Sequence, residues 1–186
     1  MNPQLSIALI LGTGREGRAS EKIARYVEVQ AKAFGFAVTF VDVRDYALPF
    51  TTHSKVDHEK TNPWKAIAAN ADGFIIVAPE YNHGYPGELK ILLDKLFIEY
   101  ARKPVAVCAV SKGALGGSRM LENLRPVLIE LRMAVLGAAV YFSNAQELFN
   151  ATGAMLDASY EVKLKKLFDE LAWYARALKE ARATVV

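Results

Sequence analysis

The sequence predicts a single α/β domain in which five parallel strands form one sheet covered by helices on both faces. Three observations lead to this prediction. Short apolar runs alternate with segments of helical periodicity along the whole chain. The runs are apolar throughout, as strands buried on both faces require. The 186 residues contain neither an internal repeat nor a shift in composition, so one domain is expected over residues 1–186.

In the first half of the chain, the elements are predicted from periodicity and from residues that begin or end helices. Gly35 directly follows the first helical segment and is expected to end it. The polar stretch from Tyr46 to Thr61 contains Pro49 and is predicted to be a loop or a lid. Pro63 suits the first turn of the next helix. The predicted bounds are strand 5–11, helix 20–34, strand 37–43, helix 63–71 and strand 73–78.

The second half of the chain continues the alternation of strands and helices. Pro126 lies inside a helical segment and predicts a kink or a break there. The last helix carries a leucine stripe, with lysine and acidic residues on its other faces. The predicted bounds are helix 86–100, strand 104–110, helix 117–131, strand 134–141 and helix 158–181.

Composition and charge argue against several classes of function. The net charge is only +3, from 23 basic and 20 acidic residues, so nucleic acid is not expected as a partner. The apolar run Leu5–Leu11 is too short to span a membrane. Cys108 is the one cysteine, so no internal disulfide can form and a cytoplasmic protein is expected. The cysteine and histidine pattern does not predict a metal site.

The loop after the first strand predicts a phosphate site. Residues 12–20 read GTGREGRAS, which combines glycines, hydroxyls and two arginines ahead of a helix. Backbone N–H groups at a helix N-terminus attract anions, and arginine adds donors that match phosphate oxygens. The alternative is a solvated loop in which Ser20 only caps the helix.

The same loop also matches the dinucleotide-binding fingerprint. Gly12, Gly14 and Gly17 spell G-x-G-x-x-G, and Asp42 ends the second strand where a ribose-binding acid would lie. In that motif, however, the helix begins within the glycines and the diphosphate needs only backbone donors. Here the helix is predicted to begin near Ser20, and the inserted arginines suit a terminal phosphomonoester better.

Two further loops predict contacts with a flat heteroaromatic ring. The loop at 78–87 contains two prolines and offers the flat faces of Tyr81 and Tyr85 and the amide of Asn82. The loop at 111–118 has three glycines, whose exposed N–H groups can bind ring carbonyls. If the strand order is 2-1-3-4-5, all three loops meet at one edge of the sheet, where such folds bind ligands. Phosphate, ring and carbonyl contacts together describe FMN.

These loops resemble those of the NADPH-dependent FMN reductase family, a flavodoxin-like group that includes quinone, azo-dye and chromate reductases. The resemblance is carried by residues 12–20, by Pro-Glu-Tyr-Asn at 79–82 with Pro-Gly-Glu-Leu-Lys at 86–90, and by residues 111–117. It covers roughly residues 5–142. It implies a flavodoxin-like three-layer sandwich with strand order 2-1-3-4-5, and self-association as a dimer or tetramer.

The resemblance also implies FMN as the cofactor and NADPH, or NADH, as the co-substrate. The phosphate would be held by Thr13, Arg15, Arg18 and Ser20. The isoalloxazine and ribityl chain would be lined by Pro79, Glu80, Tyr81 and Asn82. The pyrimidine edge of the ring would meet Ser111, Gly113, Gly116 and Gly117. Thr13 stands where the family usually has serine, and Lys112 stands where a small residue is common.

The implied function is an FMN-dependent NAD(P)H oxidoreductase with a ping-pong mechanism. Hydride would pass to FMN, and two electrons would then pass to a small acceptor: a quinone, an azo dye, chromate, a ferric chelate or a flavin. Because the cofactor carries the chemistry, no catalytic side chain is expected. The alternatives are a flavodoxin-like electron carrier, which the positive charge disfavours, an NAD(P)-binding protein using Gly12, Gly14 and Gly17, and an FMN-free protein of the same fold.

Overall fold

Five parallel strands lie side by side in the order β2-β1-β3-β4-β5, which confirms the predicted topology. The computed structural model describes residues 4–46 and 62–184. The strands are β1 (Ser6–Leu11), β2 (Ala37–Asp42), β3 (Gly73–Pro79), β4 (Pro104–Val110) and β5 (Ala134–Phe142). Because the strands are parallel, their carboxyl ends share one edge of the sheet, and the strand order reverses between β1 and β3.

Helices cover both faces of the sheet. They are α1 (Ser20–Phe34), α2 (Val43–Tyr46), α3 (Asn62–Asn70), α4 (Gly87–Asp94), α5 (Ser118–Glu130) and α6 (Ser159–Thr184). One core cluster joins the sheet to α1 and α6, and a second joins it to α3, α4 and α5. Both β3 and β4 are buried at every position, which explains their continuous apolar runs. No helix in residues 4–46 or 62–184 is long and apolar enough to cross a membrane.

The helix predicted over residues 86–100 is wrong in its second half. α4 ends at Asp94, and a separate 3-10 turn follows at Ile98–Tyr100. Tyr100 is fully buried, and its hydroxyl lies 3.3 Å from the indole nitrogen of Trp64. Periodicity does not reveal the interruption, because the apolar residues on both sides of it pack into the same core cluster.

Pro126 does not break α5, which runs without interruption from Ser118 to Glu130. A proline cannot donate a hydrogen bond to the carbonyl four residues earlier, here that of Glu122. Both residues are exposed, so water can reach this part of the helix and satisfy the carbonyl.

The region after β2 also differs from the sequence prediction. Val43 was predicted to end the strand, but it begins the short helix α2. The loop or lid predicted from Tyr46 to Thr61 lies almost wholly outside the described residues, except for Tyr46, which ends α2.

Candidate functional site

Three loops at the carboxyl ends of β1, β3 and β4 border one cavity of about 1040 Å³. They come together because these three strands are neighbours in the sheet. Nine of the residues predicted to bind the cofactor line this cavity: Arg15, Arg18, Ser20, Pro79, Glu80, Tyr81, Asn82, Ser111 and Gly113. The other three, Thr13, Gly116 and Gly117, do not contribute to its wall.

The N-terminus of α1 presents unused hydrogen-bond donors to the cavity. The Ser20 hydroxyl is buried and has no hydrogen-bond partner among the described residues. The backbone N–H groups of Glu16, Gly17 and Ala19 also lack a hydrogen bond to any described residue. A buried hydroxyl without a partner costs free energy unless a ligand completes it. This donor set, at the positive end of a helix dipole, fits the phosphate of FMN.

The two arginines of the first loop have different surroundings. Arg15 is exposed at the cavity, with its guanidinium carbon 5.5 Å from the centre of the Tyr81 ring. Arg18 is buried and donates to both carboxylate oxygens of Asp42 and to the Thr13 carbonyl. Arg15 is therefore available to a ligand, whereas most of the Arg18 donors hold the loop against the end of β2.

The Asp42 carboxylate is bound from two sides. Besides Arg18, it accepts hydrogen bonds from the backbone N–H of Arg44 at 3.0 Å and from the Arg44 guanidinium at 2.7 Å. Partial burial alone would raise the pKa of the Asp42 carboxyl, but the hydrogen bonds from both arginines outweigh it and hold this pKa well below its usual range. Because both oxygens are occupied within the protein, Asp42 is poorly placed to bind a ribose, as the dinucleotide interpretation requires.

Thr13 connects the first loop to the second. Its side chain is buried, and its hydroxyl lies 3.2 Å from the Tyr81 hydroxyl. The same hydroxyl accepts the backbone N–H of Arg15 at 3.3 Å. In the structure, Thr13 therefore orders two walls of the cavity, and its predicted contact with phosphate stays a prediction.

The second loop forms a tight two-residue turn. Tyr81 and Gly84 exchange two backbone hydrogen bonds of 2.9 Å, and the residues between them, Asn82 and His83, have φ angles of +49° and +68°. This pattern is typical of a type I′ hairpin turn. Asparagine and histidine adopt positive φ more readily than most residues. The turn places Tyr81 and Asn82 in the cavity wall.

The third loop uses many of its hydrogen-bonding groups internally. The Ser111 hydroxyl donates to the Gly113 carbonyl at 2.9 Å and accepts the Gly113 N–H at 3.2 Å. By contrast, the backbone N–H groups of Lys112, Ala114 and Leu115 make no hydrogen bond within the described part of the chain. These three N–H groups are the donors that the loop offers to a ligand.

Gly116 and Gly117 allow the third loop to pack closely on β4 and β5. A Cβ at Gly116 would lie 2.7 Å from the Cβ of Tyr141, and one at Gly117 would lie 2.9 Å from the backbone nitrogen of Val110. Both glycines also have positive φ, +59° and +89°. Only glycine fits these two positions without displacement. Their contact with a flavin ring stays a prediction.

Gly117→Ala is expected to destabilise the protein by about 1–3 kcal/mol, since the added Cβ would combine a strained φ with a clash against backbone atoms. Chemical denaturation measures the change as a lower free energy of unfolding. Gly137→Ala is the matched control, because a Cβ at Gly137 meets nothing within 4 Å. If both variants unfold at the same denaturant concentration as the parent, the packing role of Gly117 is wrong.

Some residues of the cavity wall are not among those predicted from the sequence. Arg119 lines it from α5, and Gln146 lines it from the segment after β5. Arg119 directly follows the glycine loop, close to a predicted helix start, and this position could have identified it as a residue of the cavity wall. Gln146 follows the strand next to β4, so an extension of the same strand-end argument to the fifth strand would have included it.

Comparisons with known proteins agree with this architecture. The family model described as NADPH-dependent FMN reductase matches residues 5–147. An NAD(P)H-dependent FMN reductase of Schizosaccharomyces pombe is 35% identical over 138 residues, covering 69% of this chain and 68% of the relative. A 2-hydroxy-1,4-benzoquinone reductase of a Burkholderia species is 27% identical over 178 residues, covering 92% and 97%. The fold is similar to that of a flavoenzyme NAD(P)H:(acceptor) oxidoreductase from Paracoccus denitrificans, with a TM-score of 0.79 at 20% identity, covering 93% and 98%.

Proposed function

The chain belongs to the NADPH-dependent FMN reductase family, and we propose that it reduces a small quinone in two successive steps. It is an oxidoreductase that uses FMN and NAD(P)H. Bound FMN supplies the hydride and electron chemistry, which no side chain provides. The residues of the cavity bind the cofactor, orient it and admit the two substrates in turn.

The observation that carries this proposal is the unpartnered Ser20 hydroxyl beside free N–H groups at the start of α1. Ser20 and these backbone donors would hold the phosphate, with Arg15 adding charge from the cavity side. Arg18 would act on the phosphate mainly by holding the loop through Asp42, because its guanidinium is already bound there. This assignment separates binding residues from those that shape the loop.

The other two loops would hold the flavin ring. Tyr81 and Asn82 would lie along the isoalloxazine and ribityl side, together with Pro79 and Glu80. On the pyrimidine side, the N–H groups of Ala114 and its neighbours would bind the ring carbonyls, since they lack partners among the described residues. Ser111, Gly113, Gly116 and Gly117 would shape this loop and support those contacts.

A quinone suits the cavity as the electron acceptor. Leu115 is 57% exposed at the cavity wall, so it offers apolar surface to a flat carbon ring. One relative is named for the reduction of a hydroxybenzoquinone, and this chain covers 97% of its length.

The family resemblance further supports self-association as a dimer or tetramer. The one cysteine, Cys108, is buried, and its pKa is raised by burial, so it is suited to packing in a reducing cytoplasm.

The visible spectrum of the FMN-loaded protein tests this proposal. NADPH added without oxygen is expected to bleach the flavin bands, and a benzoquinone added afterwards is expected to restore them as the quinol forms. Steady-state kinetics with both substrates varied should give the parallel double-reciprocal lines of a ping-pong mechanism.

The other outcomes of this experiment favour the alternatives. Bound flavin that NADPH does not bleach would favour an electron carrier with a different donor. A protein that retains no FMN would contradict the residues assigned to the phosphate and the ring. It would favour the interpretation of the first loop as a dinucleotide-binding loop. Reduction by NADPH without reoxidation by the quinone would contradict the proposed acceptor alone.

A further inference from the structure

The turn at Tyr81–Gly84 is held by two side chains of α5. The Arg119 guanidinium binds both Glu80, just before the turn, and His83, at its tip. The Asn123 side-chain amide donates to the His83 carbonyl at 2.6 Å and to the Arg119 carbonyl at 3.0 Å. Residues four apart lie on the same helix face, so both side chains reach the turn together.

The shape of the Arg119 guanidinium explains why one residue binds both ends of this segment. Its Nε and a terminal nitrogen lie 2.9 and 2.7 Å from one Glu80 carboxylate oxygen. The other terminal nitrogen lies 2.8 Å from His83 Nε2. The planar fork of five donors makes this possible, whereas a lysine ammonium has three donors around a single nitrogen.

The Arg119 contact also indicates which tautomer of His83 fits this geometry. Arginine only donates hydrogen bonds, so His83 Nε2 must accept and carries no proton. The proton of the neutral ring is therefore on Nδ1. Glu80, in turn, is a nearly buried carboxylate in the cavity wall, with 7% of its side chain exposed, and Arg119 balances its charge.

The turn needs support of this kind because of its backbone. Both central residues, Asn82 and His83, have positive φ, which asparagine and histidine adopt more readily than most residues but less readily than glycine. Such conformations persist where surrounding contacts determine them. Here the contacts come from α5, and the residues whose position they set, Tyr81 and Asn82, face the cavity.

We infer that Arg119 is a positioning residue for the flavin reaction, which sets the turn at Tyr81–Gly84 by binding Glu80 and His83 together. This inference rests on the proposed function, because the positioned side chains are those assigned to the ring. Arg119 acts through the turn and not on the phosphate, so its loss should affect turnover more than FMN retention.

Arg119→Gln tests the inference, with Arg125→Gln as the matched control. Arg125 lies on the same helix but donates to the carbonyls of Leu136 and Gly137, away from the turn. In flavin-free Arg119→Gln, NMR of the labelled His83 ring in alkaline buffer is expected to show loss of the pure Nδ1–H tautomer. In the FMN-loaded enzyme, kcat is expected to fall by about tenfold or more, because a small displacement of the side chains beside the reacting ring slows the reaction strongly. The FMN dissociation constant is expected to change by less than about threefold.

Arg119→Lys separates the fork geometry from charge alone. Lysine keeps the charge beside Glu80 but cannot bind both partners as a planar fork, so we expect it to restore kcat only in part and to leave the His83 tautomers mixed. If Arg119→Gln retains both the parent tautomer and the parent kcat, the inference is wrong. If the parent itself is not reduced by NADPH, the proposed function fails instead, and the tautomer measurement still tells the two failures apart.

Discussion

Replacing Ser20 with alanine is expected to weaken FMN binding by about 10- to 100-fold, the effect of losing one hydrogen bond to a charged group. The same change should leave the stability of the flavin-free protein equal or slightly higher, since it removes a buried hydroxyl without a partner. Fluorescence titration of FMN measures the first effect, and chemical denaturation measures the second.

Ser159→Ala provides the matched control for this experiment. Ser159 is the first residue of α6, as Ser20 is of α1, but it is exposed and does not line the cavity. Its replacement should leave the FMN affinity unchanged. Parent-like FMN affinity in Ser20→Ala would show that the phosphate lies elsewhere. The unpartnered Ser20 hydroxyl would then no longer support the proposed function.

Asp42→Ala is expected to lower the free energy of unfolding by about 3 kcal/mol, because it removes the carboxylate that binds two nitrogens of the buried Arg18 guanidinium and leaves Arg18 an ion pair only with Glu21 among the described residues. The Arg18 side chain is only 1% exposed, so its charge is poorly solvated once that partner is lost. Denaturant titration at neutral pH measures the change. Asp169→Ala is the control: its pair with Lys165 is exposed on both sides and should contribute less than about 1 kcal/mol.

The stabilisation by Asp42 should also depend on pH in a definite direction. The folded-state pKa of Asp42 lies below its ordinary value of about 3.9. Its ion pairs therefore stabilise the protein fully above that pH and lose this contribution as the pH falls toward the folded-state pKa. The stability difference between the parent and Asp42→Ala should shrink under acid. A difference that is small at neutral pH and grows with acid would contradict the assigned role.

The strands themselves could be predicted because strands that are buried on both faces are apolar at every position, whereas their order was implied only by the resemblance to the family. Both β3 and β4 are apolar at every position, and α1 ends where Gly35 follows it. The interruption after Asp94 could not be predicted in the same way. Leu96 and Tyr100 are buried in the same cluster as α4, so their spacing is compatible with a continuous helix.

The loops of the candidate site could be predicted, but the roles within them could not all be separated. Glycines and hydroxyls after a strand mark a loop that can approach an anion, and Ser20 proves to be an unsatisfied donor there. The sequence alone does not distinguish the role of Arg15 from that of Arg18. Only Arg15 is free to meet a ligand, because Arg18 is bound to Asp42, a residue 24 positions further along the chain.

The α/β class and the three loops that border the cavity could be predicted from the sequence, because local periodicity and glycine, proline and hydroxyl residues at strand ends are visible within short windows. The strand order was implied only by the resemblance to the family. The tertiary structure decided which polar groups have partners: the Arg18–Asp42 pair, the packing of Gly117 on β4 and the link from Arg119 to His83. The physical reason is that a hydrogen bond or an ion pair depends on distance in space, and residues far apart in sequence become neighbours only when the sheet is assembled.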